Sequence, residues 1–199
     1  MVKSPKNVLV SVFHKDGLKP IVELLSAQGA TIYSTGGTYN AITSWGVSAV
    51  EVESLTSYPS ILGGRVKTLH PKVFGGILAR EDNPSDLNEL NEYAIPLFDW
   101  VIVDLYPFEE TVSNGSSHQE IIEKIDIGGI SLIRAAAKNY KDTLVVSQRA
   151  QYDDVLALLQ SKGGKTDLED RKAYAASAFG ISSHYDTLIY EYLAEDESV

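Results

Sequence analysis

Residues 100–105 read WVIVDL, and no other stretch limits the possible folds so tightly. Trp100, Val101, Ile102 and Val103 are apolar at successive positions, so a strand built from them needs cover on both faces. NVLVSV (Asn7–Val12) has the same character. ATIYS (Ala30–Ser34), VSAVEV (Val47–Val52) and TLVVS (Thr143–Ser147) read as further strands. Helical patterns lie between them. Leu18, Ile21, Val22 and Leu25 share one helical face, with Pro20 in the first turn, where proline is tolerated. Helices are also expected near Thr38–Trp45, Pro84–Tyr93, His118–Lys124 and Ile130–Asn139, and around Tyr152, Val155, Leu156 and Leu159. Thr166 and Glu169 suggest a capping box that opens a long helix toward Leu193. Strands alternating with helices imply a three-layer, Rossmann-like α/β fold whose mostly parallel sheet is flanked by helices. One domain over residues 1–199 is expected, helical from about residue 149.

The alternation breaks once. From Ser54 to about Gly76 the chain is rich in Gly, Pro and Ser and reads as an irregular insertion, a kind of segment that is often functional. It contains GGRVKTLHPK (63–72), which gathers Arg65, Lys67, His70 and Lys72 without an acid, in a chain of net charge −10. That overall balance argues against a nucleic-acid backbone as partner, because such binding needs a cationic footprint. A local cationic patch can still hold a small anion. No apolar run approaches a membrane span, and the absence of cysteine fits a cytosolic protein.

In a parallel sheet the ligand crevice lies at the carboxyl ends of the strands. After the first strand come Ser11, His14 and Lys15, and after the second comes STGGT (Ser34, Thr35, Gly36, Gly37, Thr38). After WVIV comes DLYPF, with Asp104 and Tyr106. STGGT is either a phosphate cradle at a helix N-terminus or a tight turn capped by Thr38. Arg65 and Lys67, two apart, would point the same way in an extended segment and suit one anion. His70 is as much a structural hydrogen-bonder as a catalytic group. Asp126 precedes Gly128 and Gly129 and a helix, and is either a site carboxylate or a capping residue. Lys138, near that helix's far end, is either a site residue or a cation complementing the helix dipole. No metal-ligand set, Walker A or dinucleotide fingerprint is present, so no metal or cofactor is expected. On the residues alone, the chain reads as a domain binding a phosphorylated metabolite.

SVFHKDGL, STGGT, LTSYPSILGGRVKTLHPKVFGGILAR, DLYPF and IDIGGISLIRAAAKN resemble, in order and spacing, the inosine monophosphate cyclohydrolase domain. That domain has a methylglyoxal-synthase-like fold and forms the N-terminal half of a bifunctional purine-biosynthesis enzyme. The resemblance implies ring closure of 5-formamidoimidazole-4-carboxamide ribonucleotide to inosine monophosphate and water. It implies Lys67, Tyr106, Asp126 and Lys138 as catalytic residues. Lys67 would polarise the formyl oxygen, Asp126 and Lys138 would pair to orient the carboxamide and handle its proton, and Tyr106 would position the base or relay a proton. Substrate contacts would come from Ser11, Lys15, Ser34, Thr35, Gly36, Gly37, Thr38, Arg65, Thr68, Asp104, Ile127, Gly128 and Gly129. A homodimer is implied, as is a fused formyltransferase domain absent from this portion. The polar AEDESV ending reads as the start of a linker in a truncated form of such a protein.

Two departures from the family pattern stand out. The first loop, commonly S-V-S-D-K-T-G, has Phe13, His14 and Asp16 in place of Ser, Asp and Thr. The motif commonly written Asn-Leu-Tyr-Pro-Phe begins with Asp104, which can only accept hydrogen bonds when ionised, so it must meet a donor or be protonated. Two other readings remain open: a non-enzymatic effector domain that binds a nucleotide or phosphate, and a methylglyoxal-synthase-type lyase.

Overall fold

In a computed structural model, which describes residues 2–195, five parallel strands form one sheet. In chain order they are β1 (Asn7–Val12), β2 (Thr31–Ser34), β3 (Val50–Glu51), β4 (Trp100–Asp104) and β5 (Leu144–Val146), and their order across the sheet is β3-β2-β1-β4-β5. Register is continuous at the centre, where Val8 pairs with Trp100 and Val12 with Asp104. The helices are α1 (Leu18–Ala27), α2 (Gly36–Ser44), α3 (Val52–Thr56), α4 (Pro71–Leu78), α5 (Pro84–Glu92), α6 (Phe108–Ser113), α7 (His118–Ile122), α8 (Gly128–Lys138), α9 (Tyr152–Lys162) and α10 (Leu168–Glu195).

Alternation along the strands sorts the core into two layers. Val8, Val10, Val12, Trp100, Ile102, Leu144 and Val146 pack against α1, α2 and α9 on one face. Leu9, Val101, Val103 and Val145 pack against α4, α8 and α10 on the other. The central strands are buried on both sides, as their unbroken apolar sequences require.

The structure differs from the sequence expectations in three places. The third strand is confined to Val50–Glu51, because Val52 already begins α3. The stretch from Ser54 to Gly76 is not structureless: it contains α3 and most of α4. Pro71 opens α4, since a proline at the first helical position forfeits no hydrogen bond. Two glycines made α4 a poor helix by propensity, but packing overrides propensity: a Cβ on Gly76 would lie 2.2 Å from the Pro96 carbonyl oxygen. Lastly, the capping pair of α10 is Asp167 with Asp170, whose backbone N–H groups and carboxylates bond reciprocally. Thr166, one residue earlier, instead accepts from the buried Arg171 guanidinium. The last four residues of the AEDESV ending lie outside the described residues.

Gly76→Ala is therefore expected to destabilise the fold by about 3 kcal/mol or more, because the clash is with backbone rather than with a yielding side chain. Thermal unfolding measures this. An unchanged melting temperature would contradict the packing of α4 on the Pro96–Phe98 segment.

Candidate active site

Starting at β1, the strand order runs outward to β3, then returns to place β4 on the other side of β1. The loops leaving β1 and β4 diverge at this reversal, and a crevice opens at the carboxyl ends of the two strands. A cavity of about 440 Å³ lies there. It is lined by the ends of β1, β2 and β4, by the 63–68 loop, and by the segment leading into α8.

From β1 come Ser11 and Lys15. The Lys15 Nζ donates to the carbonyls of Val12 and Phe13, both at 2.7 Å, which leaves one of its three N–H groups for a ligand. Burial pulls this ammonium below the ordinary lysine value, against the pull of Asp104 and with the help of Lys67. From β2 come Thr35, Gly37 and Thr38. The first N–H groups of α2 have no acceptor within the helix and face the crevice end of the sheet. The STGGT segment is both cradle and brace. Thr38 Oγ1 donates to the Val12 carbonyl at 2.8 Å and accepts from the Val12 N–H, while Ser34 Oγ donates to the Val10 carbonyl at 2.7 Å. Ser34 is fully buried and, like Gly36, does not line the cavity.

The 61–66 segment folds back on itself through paired hydrogen bonds between Ile61 and Val66. Gly63 and Gly64 take φ of 66° and 92°; a Cβ would meet nothing at Gly63 and only the Ser60 hydroxyl, at 3.9 Å, at Gly64. They serve the tight turn, not a close approach. This turn, rather than an extended strand, sends both Arg65 and Lys67 to the cavity, with Thr68 behind them. Arg65 lies 3.9 Å from Glu123 across the mouth, and both side chains are exposed. Such an exposed pair is worth about 0–1 kcal/mol, less than the roughly 1.5–3 kcal/mol of a hydrogen bond to a charged group, so an anion would win Arg65. His70 takes the structural role: its Nδ1 accepts from the Lys72 N–H and caps α4.

Opposite these cations stand Asp104 and Tyr106 after β4, and Asp126, Ile127, Gly128 and Gly129 at the start of α8. Asp126 Oδ1 accepts from the Gly129 N–H at 2.6 Å, so it both caps α8 and faces the cavity. The close-approach glycines are here. A Cβ on Gly129 would lie 2.6 Å from Asp126 Oδ2, and one on Gly128 2.9 Å from the Thr68 hydroxyl. Burial pushes the Asp126 carboxyl above the usual carboxylate range. The N–H groups of Gly129 and Tyr106 and the Lys67 charge oppose this, and Asp104 reinforces it. Burial also raises the Tyr106 hydroxyl, helped by Asp126, so Tyr106 stays a neutral donor.

Lys138 is not brought to this group. It ends α8, exposed, and α8 is 11 residues long, which sets Lys138 about 15 Å along the axis from the glycines. The expected Asp126–Lys138 pair therefore does not form within the chain, because the two occupy opposite ends of one straight helix.

Lys124 lines the cavity and Tyr185 lies behind it, and neither was expected there from the sequence. Phe13 sets its ring edge-on to Tyr106 at 5.4 Å, and the Lys124 ammonium lies over the Phe13 ring. Tyr185, from α10, accepts from the Asp126 N–H at 2.9 Å and donates to the Lys124 carbonyl at 2.7 Å, pinning the approach to α8. Its sequence signal was the helical stripe Arg171, Ala175, Ala178, Ser182, Tyr185, all buried on one side of α10. The stripe marks an inward face but not what the hydroxyl meets. Gly129→Ala is expected to displace the Asp126 carboxylate and to destabilise the fold by about 1–3 kcal/mol, read by thermal unfolding. An unchanged melting temperature would contradict the packing of Asp126 on Gly129.

Residues 17–131 match the family model of the MGS-like domain, and residues 136–199 match that of the AICARFT/IMPCHase bienzyme. The chain is 55% identical over 98% of its length to the bifunctional purine biosynthesis protein PurH of Bacteroides thetaiotaomicron, covering 38% of that protein. It is 47% identical over 96% of its length to the PurH of Rhodopirellula baltica, covering 36% of it. The chain thus spans little more than a third of the length of these curated relatives. The crystal structure of ForH superposes with a TM-score of 0.81 at 36% identity, covering 95% of this chain and 97% of that one. With a family model spanning more than half of its residues and a solved relative matched over almost all of both chains, the chain belongs to the MGS-like domain family.

Proposed function

We propose that the chain is an inosine monophosphate cyclohydrolase domain acting in purine biosynthesis. The observation that carries the proposal is the meeting of Lys15, Arg65, Lys67, Tyr106 and Asp126 in one cavity at the β1–β4 reversal. Matches to proteins named for purine biosynthesis support it.

The reaction joins two groups already in one molecule. The carboxamide nitrogen of 5-formamidoimidazole-4-carboxamide ribonucleotide attacks the formyl carbon, a C–N bond forms, and the formyl oxygen leaves as water. The domain's task is to hold the formyl group in the attacking rotamer and to manage charge. Lys15, Arg65, Thr35 and the first N–H groups of α2 would hold the phosphate. Ser11 and Thr38 would lie beside that end, and Thr68, whose hydroxyl neighbours Gly128, would flank the base with Ile127 and Gly128. The Lys67 ammonium would offset the negative charge that gathers on the formyl oxygen. Asp126 would take the carboxamide proton: a carboxylate raised above its usual range is a stronger base than an ordinary one. Tyr106, held neutral, would donate to the developing oxyanion or the base. Lys138 has no part in this step within one chain.

We extend the proposal to a homodimer and, in the whole protein, to a fused formyltransferase domain. The word bifunctional in the relatives' names supports the second. Exposed Phe179, Tyr190 and Leu193 on α10 offer apolar surface for the first. Light scattering at twice the mass of one chain would support the dimer, and the mass of a single chain would refute it.

The test is ring closure of the formamido substrate, followed by ultraviolet absorbance. Lys67→Ala is expected to lower kcat about 100-fold, and Asp126→Asn about 100-fold or more. Nucleotide binding without turnover by the wild-type chain would indicate an effector domain instead. The rate should also fall as pH drops through the Asp126 pKa, because the base works only when ionised. That acid limb is expected above the ordinary aspartate value of about 3.9 and should be absent from the residual activity of Asp126→Asn.

A further inference from the structure

An acidic side chain is out of place in a cavity proposed to hold an anion, yet Asp104 lines this one. Its charge reaches both neighbours: it holds the Lys15 ammonium up and pushes the Asp126 carboxyl up. Whatever fixes Asp104 therefore bears on both the phosphate end and the base end of the site.

The partner is His14. One carboxylate oxygen, Oδ2, accepts the His14 backbone N–H at 2.7 Å and lies 2.8 Å from ring Nδ1. A carboxylate only accepts, so Nδ1 carries the hydrogen in this contact. The two residues belong to different strand ends, 90 positions apart. The other oxygen, Oδ1, receives no hydrogen bond from the described residues, and it is not among the buried side-chain atoms left without a partner. Oδ1 therefore keeps some exposure, and Asp104 lines both the candidate site and a neighbouring cavity with Gln148, His184 and Leu188.

We propose that His14 is a positioning residue that clamps Asp104 by Oδ2, so that Oδ1 is presented as an acceptor to an N–H or O–H donor of the bound ribonucleotide. This deepens the cyclohydrolase reading and rests on it. The clamp has two consequences. It fixes one rotamer of Asp104, and its ring N–H draws carboxylate charge away from the phosphate end. An acceptor at this position selects ligands that bring a donor, because a donor-free ligand leaves the carboxylate desolvated and unpaired.

The test is a double-mutant cycle on the whole chain, using His14→Ala, Asp104→Asn and the pair, with His14→Asn as the conservative variant. An asparagine amide places an N–H close to where Nδ1 stands. KM and kcat are measured for the formamido substrate, and Kd for inosine monophosphate and for its 2′,3′-dideoxy form. His14→Ala is expected to raise KM and Kd about tenfold with little change in kcat, His14→Asn to restore most of the loss, and His14→Ala to cost little in the Asp104→Asn background. If the donor is a ribose hydroxyl, the dideoxy ligand loses affinity only against Asp104. If it is a base N–H, the dideoxy ligand follows inosine monophosphate through the cycle. Wild-type constants in His14→Ala, or an equal cost of His14→Ala with and without Asp104→Asn, would overturn the proposal. Should His14→Ala not fold, His14→Asn and Asp104→Asn still decide it: His14→Asn as damaging as Asp104→Asn would overturn it. A wild-type chain that binds inosine monophosphate but closes no ring defeats the cyclohydrolase reading alone, since the cycle can still be read in Kd. A chain that neither binds nor turns over defeats both.

Discussion

Everything in this molecule depends on covering both faces of β1 and β4. These adjacent strands are apolar on both sides, and each face needs its own layer of helices. Parallel pairing forces every connection to cross back over a face, and the reversal of strand order beside β1 forces two of those connections to part. The crevice is what remains where they part. Hydrophobic burial thus decides where the chemistry sits, although none of the buried apolar side chains does any.

The crevice solves an electrostatic problem for an acidic chain. Lys15 and the Arg65–Lys67 turn face it from two sides, and the N-terminus of α2 adds its N–H groups. The acids present are restrained rather than absent. Asp126 is tied to the start of α8, Asp104 to His14, and Glu123 engages Arg65 only weakly at the exposed mouth. Each restraint comes from a different element, so the field in the cavity depends on the whole tertiary arrangement. Tyr185 is the clearest case: a residue of the last helix fixes the backbone leading into a carboxylate 59 positions earlier.

Much of the fold was legible because burial leaves a period in the sequence. WVIVD, NVLVSV and LVV announced strands covered on both sides, and Leu18, Ile21, Val22 and Leu25 announced α1. The cations of GGRVKTLHPK and the hydroxyls of STGGT were legible as chemistry, and most of them reach one cavity. Other features left no local trace. α4 carries two glycines and forms because the Pro96–Phe98 segment needs a neighbour without side chains. Ser34 and Thr38 look like ligand donors, yet their hydroxyls are committed to β1.

The sequence by itself determined the layer architecture and the supply of charged and hydroxyl groups at the strand ends, since alternation and composition are properties of short stretches. Only the tertiary structure decided which of those groups meet. It made His70 a helix cap and joined His14 to Asp104 across adjacent strand ends. The physical reason is range. Periodicity is written over a few neighbouring residues, whereas a hydrogen bond between strand ends 90 positions apart exists only once sheet register has brought them within about 3 Å.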